Sequence, residues 1–453
     1  MEEASRLTPG NTHFLVVSFE GPDRYSTGGG LGIRVTQLVR TLARKRFPTQ
    51  LVFVGDPHLP KREHRMHGRL VLHRWSQWIS RRYPDGVYHG EESKLYDFNE
   101  TLPRFILEEI ARPAIAVGKM LVVLGEEWQT AELMCRLSDL LYQYGLRDRA
   151  VLFWNASSTM SFHRIDWGRL AYTTTITTVS KYMKHLMWGM GVNAQVIPSG
   201  IPSSMFRKVD GRDVDRVRDG LGKDFILYKF GSWDPGKGWN AAMEATATLK
   251  EAGLRVVLLA RAGAEPHGEW LLHHAGRLGL RVSEVGPGGK GHEARLSAIA
   301  QACDGDIVNI CSELSPDLLR VLCRASDAVL TNGGREPSGL AGLEAMASGG
   351  IAFAGASGED YAIHKRNSLV QQTGDSWEIV SNLLYLRDHP EEERRIRRAA
   401  RRSARSFTWE KVAENLVSKV EQQARAQGIL CRATLIKPQP PDHAAPVFDG
   451  KAV

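Results

Sequence analysis

The sequence predicts an α/β protein with two doubly wound domains that face each other across a cleft. In both halves of the chain, apolar runs typical of buried strands alternate with helical patterns, at intervals of roughly 25–45 residues. A segment with two prolines and a glycine, residues 196–206, separates the halves. The 453 residues are enough for two or three domains. Ligands of such folds bind outside the carboxyl ends of the strands, so a site is expected there.

Composition narrows the class of protein. With 42% hydrophobic and 24% charged residues the chain is an ordinary globular one. It has no run of 18 apolar residues and a polar start, so we expect neither a membrane span nor a signal peptide. Five scattered cysteines without C-x-x-C spacing favour reduced thiols, a cytoplasmic location and no zinc site. The net charge of +8 is compatible with acidic partners or with an ordinary basic surface.

The first half begins with a predicted strand at residues 13–19 and a predicted helix at residues 33–45. Between them lie five residues, Gly28 to Gly32, of which four are glycine, a composition that lets a backbone approach an anion or simply makes a tight turn. Further strands are expected at residues 51–55, 120–125 and 150–154. Residues 58–82, basic with interleaved tryptophans, predict a loop that binds an acceptor or is only solvated. Residues 83–104 are predicted to be rich in turns.

The second half repeats the pattern. A strand at residues 225–230 leads through a glycine-containing turn with Lys237 to a helix at residues 239–251. Strands at 255–260 and 307–310 and helices at 265–278 and 317–326 follow. A very charged stretch, residues 391–405, predicts a solvated helix face, with attraction to a membrane surface as the alternative.

Residues 328–356 predict a strand, a loop, a helix and a strand. The first strand is expected at 328–330, the helix at 339–348 with Ser338 as its N-cap, and the second strand at 351–354. A helix N-terminus carries free N–H groups and partial positive charge, so it can hold a phosphate. Glu336 and Glu344, one before the helix and one within it, can face a single ligand.

This stretch resembles the E-x(7)-E signature of the retaining GT-B glycosyltransferases, family 4 in particular. The matching residues run from Glu336 to Leu340 and from Glu344 to Gly349. The hinge at 196–206, the lysine-containing turn at 231–238 and the segment 407–410 resemble the same family. The resemblance implies two Rossmann-like domains and a hexosyltransferase that moves a sugar from a nucleotide diphosphate to a hydroxyl acceptor with retention. It also implies that neither a metal nor another cofactor takes part.

The resemblance further implies roles for individual residues. Glu336 would hydrogen-bond the donor sugar, Glu344 the ribose hydroxyls, and Lys237 the diphosphate. The remaining donor-binding residues implied are Gly29, Gly30, Gly231, Ser232, Arg335, Pro337, Ser338, Gly339 and Leu340.

Two positions depart from the family pattern. Ser232 stands where the family has an arginine, and Lys229, Arg261 or Arg335 could supply the missing charge. Asn155 stands where many members have a histidine near the donor sugar. His163 could take that catalytic place, or it could be a surface histidine, while Trp128 and Asn155 are expected on the acceptor side.

The resulting division is an acceptor-side domain at 1–200, a nucleotide-sugar domain at 201–406, a helix crossing back at 407–429 and a poorly ordered tail at 430–453. The expected partners are a nucleotide sugar and a glycan, lipid or small-molecule acceptor, without nucleic acid. Peripheral membrane contact is an open alternative, and the oligomeric state is not predicted. The alternative functions are a nucleotide-sugar 2-epimerase, a glycoside phosphorylase, or an impaired scaffold that binds a nucleotide or glycan.

Overall fold

The computed structural model describes residues 6–263, 265–286, 291–334, 339–355, 358 and 360–432. As the sequence predicts, the chain forms two α/β domains, each built on a mainly parallel sheet. The predicted tail falls almost wholly on residues 433–453, which lie outside the described residues. No helix in the described part of the chain is long and apolar enough to cross a membrane.

The first sheet has eight strands in the order β3-β4-β2-β1-β5-β6-β7-β8, all parallel except β3, which runs antiparallel to β4 at the edge. The strands are β1 (Thr12–Ser18), β2 (Thr49–Val54), β3 (Arg62–Arg65), β4 (Leu70–Trp75), β5 (Met120–Glu126), β6 (Ala150–Ala156), β7 (Thr175–Thr178) and β8 (Gln195–Val196). The helices are α1 (Gly30–Arg44), α2 (Gln77–Ser80), α3 (Glu91–Phe105), α4 (Arg112–Ala116), α5 (Ala131–Gln143), α6 (Trp167–Thr173) and α7 (Lys181–Gly189).

The second sheet has seven parallel strands in the order β11-β12-β10-β9-β13-β14-β15. The strands are β9 (Phe225–Phe230), β10 (Val256–Arg261), β11 (Val282–Val285), β12 (Ile307–Ile310), β13 (Ala328–Thr331), β14 (Ala352–Ala354) and β15 (Leu369–Val370). The helices are α8 (Gly211–Leu221), α9 (Trp239–Glu251), α10 (His267–Arg277), α11 (His292–Ala300), α12 (Pro316–Ala325), α13 (Leu340–Ser348), α14 (Ser376–Asp388) and α15 (Pro390–Ala404).

Both sheets are covered on both faces, which explains why their central strands read as continuous apolar runs. In the second sheet, Leu227 and Leu258 pack on one face, while Ile226 and Val257 pack on the other. This arrangement leaves the carboxyl ends of the strands as the accessible edge, because the faces are filled by helices.

The chain crosses between the domains twice, and the two crossings lie side by side. The N–H of Ile201 donates to Phe407 O at 2.9 Å, and the N–H of Trp409 donates to Ile201 O at 3.2 Å. The last helices, α16 (Trp409–Ala426) and α17 (Ile429–Arg432), follow. Trp409 and Leu416 of α16 are buried in the core of the first domain, so the end of the chain fastens the two domains together.

One expectation for the first domain was wrong, and a second held only in part. Residues 58–82, predicted as a loop, contain β3, β4 and α2, because the apolar residues Leu70 and Leu72 fill the core beside β2. The second, that residues 83–104 are rich in turns, holds only as far as Gly90, and the remainder forms most of α3. Leu95, Phe98 and Leu102 recur at helical spacing and are buried, a periodicity that the polar residues between them obscure in the sequence.

Candidate functional site

The carboxyl ends of β9 and β13 are joined by Asn332. The Lys229 ammonium donates to Asn332 Oδ1 at 2.5 Å and to Leu330 O at 3.1 Å. The Asn332 Nδ2 group in turn donates to Gly238 O at 3.0 Å. One amide side chain therefore holds three parts of the site together: the end of β9, the turn that carries Lys237, and the loop that leads towards α13.

The turn that carries Lys237 is built by local contacts. The Asp234 carboxylate accepts a hydrogen bond from the N–H of Gly236 at 2.7 Å, and Gly238 has a φ of +71°. A Cβ atom on Gly238 would lie 2.7 Å from Asn332 Nδ2, so only glycine fits both the backbone conformation and the space.

Two lysines supply positive charge at this edge. Burial, followed by the charge of Lys237, lowers the pKa of Lys229 to about 7. Burial also lowers the pKa of Lys237, while Asp234 opposes that shift. Partial exclusion of water raises the free energy of both ammonium groups. An anion that binds here would lower it and would in turn be stabilised by both charges.

Ser232 contributes its backbone to this edge. Its carbonyl accepts a hydrogen bond from Trp239 Nε1 at 2.8 Å, and the Lys229 ammonium lies 5.2 Å from the centre of the Trp239 ring. Gly231, with a φ of +144°, precedes it, and Arg261 is half-buried at the end of β10. Of the two described cations considered for the charge missing at Ser232, Lys229 and Arg261, it is Lys229 whose contacts place it beside the Lys237 turn.

Helix α13 begins one residue later than expected. Its first residue is Leu340 and its N-cap is Gly339, so the prediction of Ser338 as the N-cap was wrong. The shift has a structural cause at Gly339, whose ψ of 53° is not helical and whose carbonyl accepts the Tyr361 hydroxyl at 2.6 Å. A Cβ on Gly342 would lie 2.1 Å from the same hydroxyl, so α13 and Tyr361 are in close contact.

Glu344 lies within α13 and is half-buried. Burial raises the pKa of its carboxyl to about 7. In the part of the chain that the structure describes, no group hydrogen-bonds to this carboxylate. A partly buried carboxylate without a partner is costly, and ligand hydroxyls would satisfy it.

Four predicted donor-binding residues, Arg335, Glu336, Pro337 and Ser338, lie outside the described residues. Their expected roles therefore remain predictions.

At the first domain's edge, Glu20 is a residue that the sequence reasoning missed. One of its carboxylate oxygens accepts the N–H groups of Gly28, Gly29 and Gly32 at 3.0, 3.0 and 2.9 Å. The other oxygen accepts the hydroxyl of Tyr88. The start of α1, which begins at Gly30, thus already holds an anion from its own chain, and a carboxylate directly after β1 was the available signal.

Asn155 is part of a buried polar network. Its amide donates to Glu126 at 2.8 Å, and Arg34 pairs with the same carboxylate at 3.2 Å. Arg34 also donates to Ser199 Oγ at 3.0 Å. Asn155 therefore helps to fix the Glu126 carboxylate. Through Arg34, this carboxylate is connected to Ser199 in the segment that links the two domains.

Glu127 has a strained backbone and a buried side chain. Its φ is +68°, in a region that residues other than glycine rarely adopt, and its carboxylate accepts the N–H of Ser157 at 2.6 Å. Burial, opposed by the Ser157 hydrogen bond and reinforced by Glu126, raises the pKa of this carboxyl to about 7. This strain could not be predicted from the sequence, because a glutamate after a strand is common.

The other first-domain predictions are Trp128 and His163. Trp128 is buried, and the Arg164 guanidinium lies 4.4 Å from the centre of its ring. His163 is exposed in a short 3₁₀ turn between Phe162 and Arg164. The described residues contain no group of three or more His, Cys, Asp or Glu side chains that could hold a metal ion.

Across the cleft the two domains touch near α13. The Asp360 carboxylate accepts the backbone N–H of Lys181 at 3.0 Å. A small cavity of about 20 Å³ beside this contact is lined by Ser180 and Ser199 from one side and by Gly339 and Leu340 from the other. The starts of α7 and α13 therefore face each other across the cleft.

Residues 212–403 match the model of the family Glycosyl transferases group 1. Among curated protein sequences, none matches the chain. Similar solved structures include sucrose-phosphate synthase from Thermosynechococcus elongatus, with 17% identity and a TM-score of 0.62 over 91% of this chain and 100% of that one.

Two further structures are similar over most of their length. The catalytic domain of starch synthase IV from Arabidopsis thaliana, bound to ADP and acarbose, has 15% identity and a TM-score of 0.63 over 92% of this chain and 100% of that one. HepE from Anabaena, in complex with UDP, has 12% identity and a TM-score of 0.59 over 91% and 100%. The chain therefore has the GT-B fold, and its second domain contains the segment that matches the glycosyl transferases group 1 model.

Proposed function

We propose that this protein transfers a hexosyl group from a nucleotide-diphosphate sugar to a hydroxyl acceptor, with retention at the anomeric carbon. The observation that carries the proposal is the set of contacts through which the Asn332 side chain connects Lys229 at the end of β9 to the turn that carries Lys237, together with the partly buried carboxylate of Glu344 in α13. The match over residues 212–403 supports it, as do structures of similar fold that hold ADP or UDP.

The cationic edge suits the leaving group. As the bond between the anomeric carbon and the phosphate oxygen breaks, negative charge grows on the diphosphate. Lys237, Lys229 and the amino end of α13 would stabilise that charge without a metal or another cofactor. The acceptor oxygen bonds to the anomeric carbon on the face that the diphosphate leaves, and the acceptor's proton passes to the departing phosphate oxygen.

The carboxylates would hold the rest of the donor. In this proposal Glu344 accepts hydrogen bonds from the ribose hydroxyls and Glu336 from the sugar hydroxyls, while Arg335 and residues 337–340 surround them. Gly29, Gly30, Gly231 and Ser232 border the diphosphate. On the opposite side of the cleft, Trp128 and Asn155 shape the acceptor side, and His163 reaches the donor sugar. We also propose a cytoplasmic enzyme, with peripheral membrane contact as the alternative.

A nucleotide-binding scaffold without turnover is the second candidate. Two observations favour it: Ser232 stands where a charge would help catalysis, and Glu20 occupies N–H groups at the start of α1 that a donor phosphate could otherwise use.

The proposal is tested with radiolabelled nucleotide sugars, incubated with and without a panel of glycan, lipid and small-molecule hydroxyl acceptors. We expect acceptor-dependent release of nucleoside diphosphate and a product of retained anomeric configuration, both lost in Lys237→Ala and Glu336→Ala. A changed sugar without any acceptor would indicate an epimerase, and phosphate-dependent cleavage a phosphorylase. Binding without turnover across the panel would favour the scaffold.

A further inference from the structure

A second cavity, of about 800 Å³, lies in the second domain between the start of α8, the carboxyl end of α13 and helix α15. Such a volume is typical of small-molecule sites. The proposed donor site lies at the amino end of α13, and the nine residues of that helix separate the two ends by about 13 Å. The second cavity is therefore distinct from the donor site.

The lining of this cavity is strongly basic. Six of its side chains are cationic: Lys208, Arg324, Arg394, Arg397, Arg398 and Arg401. One carboxylate, Asp215, lines it as well. The four arginines of α15 occupy one helix face, because they recur at i, i+3, i+4 and i+7, while Ile396 and Ala400 are buried on another face. As the sequence predicted, this face is solvated, since Arg394 and Arg398 are exposed, and together with the half-buried Arg397 and Arg401 they line the open cavity.

Three of the guanidinium groups are fixed by protein carbonyl groups. Arg397 donates to Gly349 O at 3.0 Å and to Ser326 O at 2.9 Å, and its Nε pairs with Glu393 at 2.7 Å. Arg324 donates to Gly349 O at 2.9 Å. Arg401 donates to a third carbonyl group, that of Phe206, at 2.5 Å. These contacts order the cationic wall before any ligand arrives, which lowers the entropic cost of binding.

The other three cations have no anionic partner within the described part of the chain. Among the described residues, none pairs with or hydrogen-bonds to the side chains of Lys208, Arg394 or Arg398. Partial desolvation, followed by the nearby charges of Arg397 and Arg401, lowers the pKa of Arg324, while Glu393 opposes this shift. The cavity thus gathers cations that repel one another, and of the nearby carboxylates Glu393 is already paired with Arg397 and Asp327 with Arg218.

We propose that this cavity binds a small molecule through a phosphomonoester or diphosphate group. Arginine guanidinium groups match phosphate oxygens in pairs, and a ligand with two negative charges would offset the repulsion among them. The cavity is larger than a phosphate ion needs, so the rest of the ligand has room within it. The headgroup of an anionic phospholipid offers the same chemistry, and the test separates the two sources.

The test is isothermal titration of the full-length protein with inorganic pyrophosphate and with ribose 5-phosphate at about 150 mM salt, where weak surface attraction is screened. All titrations use the Lys237→Ala background, which weakens binding at the donor site, and the two double variants then show whether the remaining binding belongs to the cavity. The test variant is R394A/R398A, which removes two unpaired cations of the cavity. The control is R395A/R402A, which removes the same charge from the same helix outside the cavity lining. Thermal melting confirms that each variant is folded.

We expect saturable binding of at least one probe that is about tenfold or more weaker in R394A/R398A and unchanged in R395A/R402A. If neither soluble probe binds, vesicles of neutral lipid with an added anionic phospholipid are used. Vesicle binding lost only in R394A/R398A would support the phosphate chemistry and assign it to a headgroup. No saturable binding of any probe, or equal loss in both double variants, would overturn the proposal.

Discussion

Single buried charges define the proposed donor site. The place of Lys237 in a glycine-containing turn after a strand was predictable, and the structure has it in a 3₁₀ turn between β9 and α9. Asn332 was not predictable as the joining residue, because a polar residue after a strand usually only breaks the strand. The hydrogen bond from the Gly29 N–H to Glu20 was equally unpredictable, because the two residues come together only in the folded chain. The local sequence pattern thus predicts which residue stands in a turn, while contacts between distant segments determine what its side chain does.

Glu344→Gln should stabilise the protein above neutral pH and weaken nucleotide binding. The folded-state pKa is raised to about 7 from an ordinary value of 4.5, so the folded protein keeps a proton that the unfolded chain releases in that window. Stability therefore falls as pH rises through the window, and glutamine removes this loss. We expect a melting temperature about 2–6 °C above wild type at pH 7.5 and an equal one at about pH 4.5.

The same variant should bind UDP or ADP about tenfold more weakly, because it loses a charged hydrogen bond. Glu251→Gln, at an exposed position of α9, serves as the control and should change neither property. A Glu344→Gln variant with no pH-dependent gain in melting temperature would contradict the assigned environment.

Lys229 should take up a proton when a nucleoside diphosphate binds. Near pH 8 the Lys229 side chain is mostly an uncharged amine in the folded protein, because burial lowers its pKa to about 7. A diphosphate beside it favours the charged form and raises that pKa. Calorimetry of UDP and ADP binding at pH 8, in two buffers of different ionisation enthalpy, should show uptake of about half a proton or more. Lys229→Met should abolish it, and equal uptake in both proteins would place Lys229 outside the donor site.

The bounds of some helices and strands could be predicted from the sequence more closely than those of others. Strand β9 and helix α9 have the predicted bounds, because Asp224 and Gly231 flank the apolar run of the strand and Gly238 precedes the helix. Helix α13 was predicted with an earlier N-cap, because serine is preferred at that position. In the structure the N-cap is Gly339, whose carbonyl accepts a hydrogen bond from the Tyr361 hydroxyl. A tertiary contact overrode local preference at the element that matters most for the site.

Gly342→Ala tests the contact between α13 and Tyr361. The added methyl group would lie 2.1 Å from the Tyr361 hydroxyl, which is buried, so the helix or the ring must move. We expect a loss of about 1–3 kcal/mol in stability, measured by chemical unfolding, together with weaker nucleotide binding. Gly276→Ala in α10 is the matched control, because no atom lies within 4 Å of its added methyl group, and it should be neutral or slightly stabilising. Equal effects of the two substitutions would show that the Tyr361 contact does not position α13.

At the scale of the whole molecule, the two domains are held by paired crossings rather than by a single linker. The sequence predicted both the hinge and the returning helix, through prolines near residue 200 and an aromatic start near residue 409. It could not predict that Ile201 would bond to Phe407 and Trp409, since that pairing joins segments about 200 residues apart.

Trp409→Ala should destabilise the first domain and loosen its connection to the second. Trp409 is 3% exposed and packs with Leu416 in the first core, next to Gly200. Truncation of a buried tryptophan costs about 3–5 kcal/mol, which chemical unfolding of the full chain would show. Trp377→Ala, at a side chain that is 61% exposed, should stay within about 0.5 kcal/mol of wild type. Similar losses in both variants would argue against α16 as the fastening element.

The central claim is that a nucleoside diphosphate binds at the carboxyl edge of the second sheet, beside Lys237. Isothermal titration with UDP and ADP of wild type, Lys237→Ala and Lys223→Ala tests it directly. Lys223 precedes β9, so it lies at the opposite end of the same strand and serves as a charge-matched control. The account predicts saturable binding of at least one nucleotide that is about tenfold to a hundredfold weaker in Lys237→Ala and unchanged in Lys223→Ala. Equal affinity in all three proteins, or binding of neither nucleotide to wild type, would contradict it.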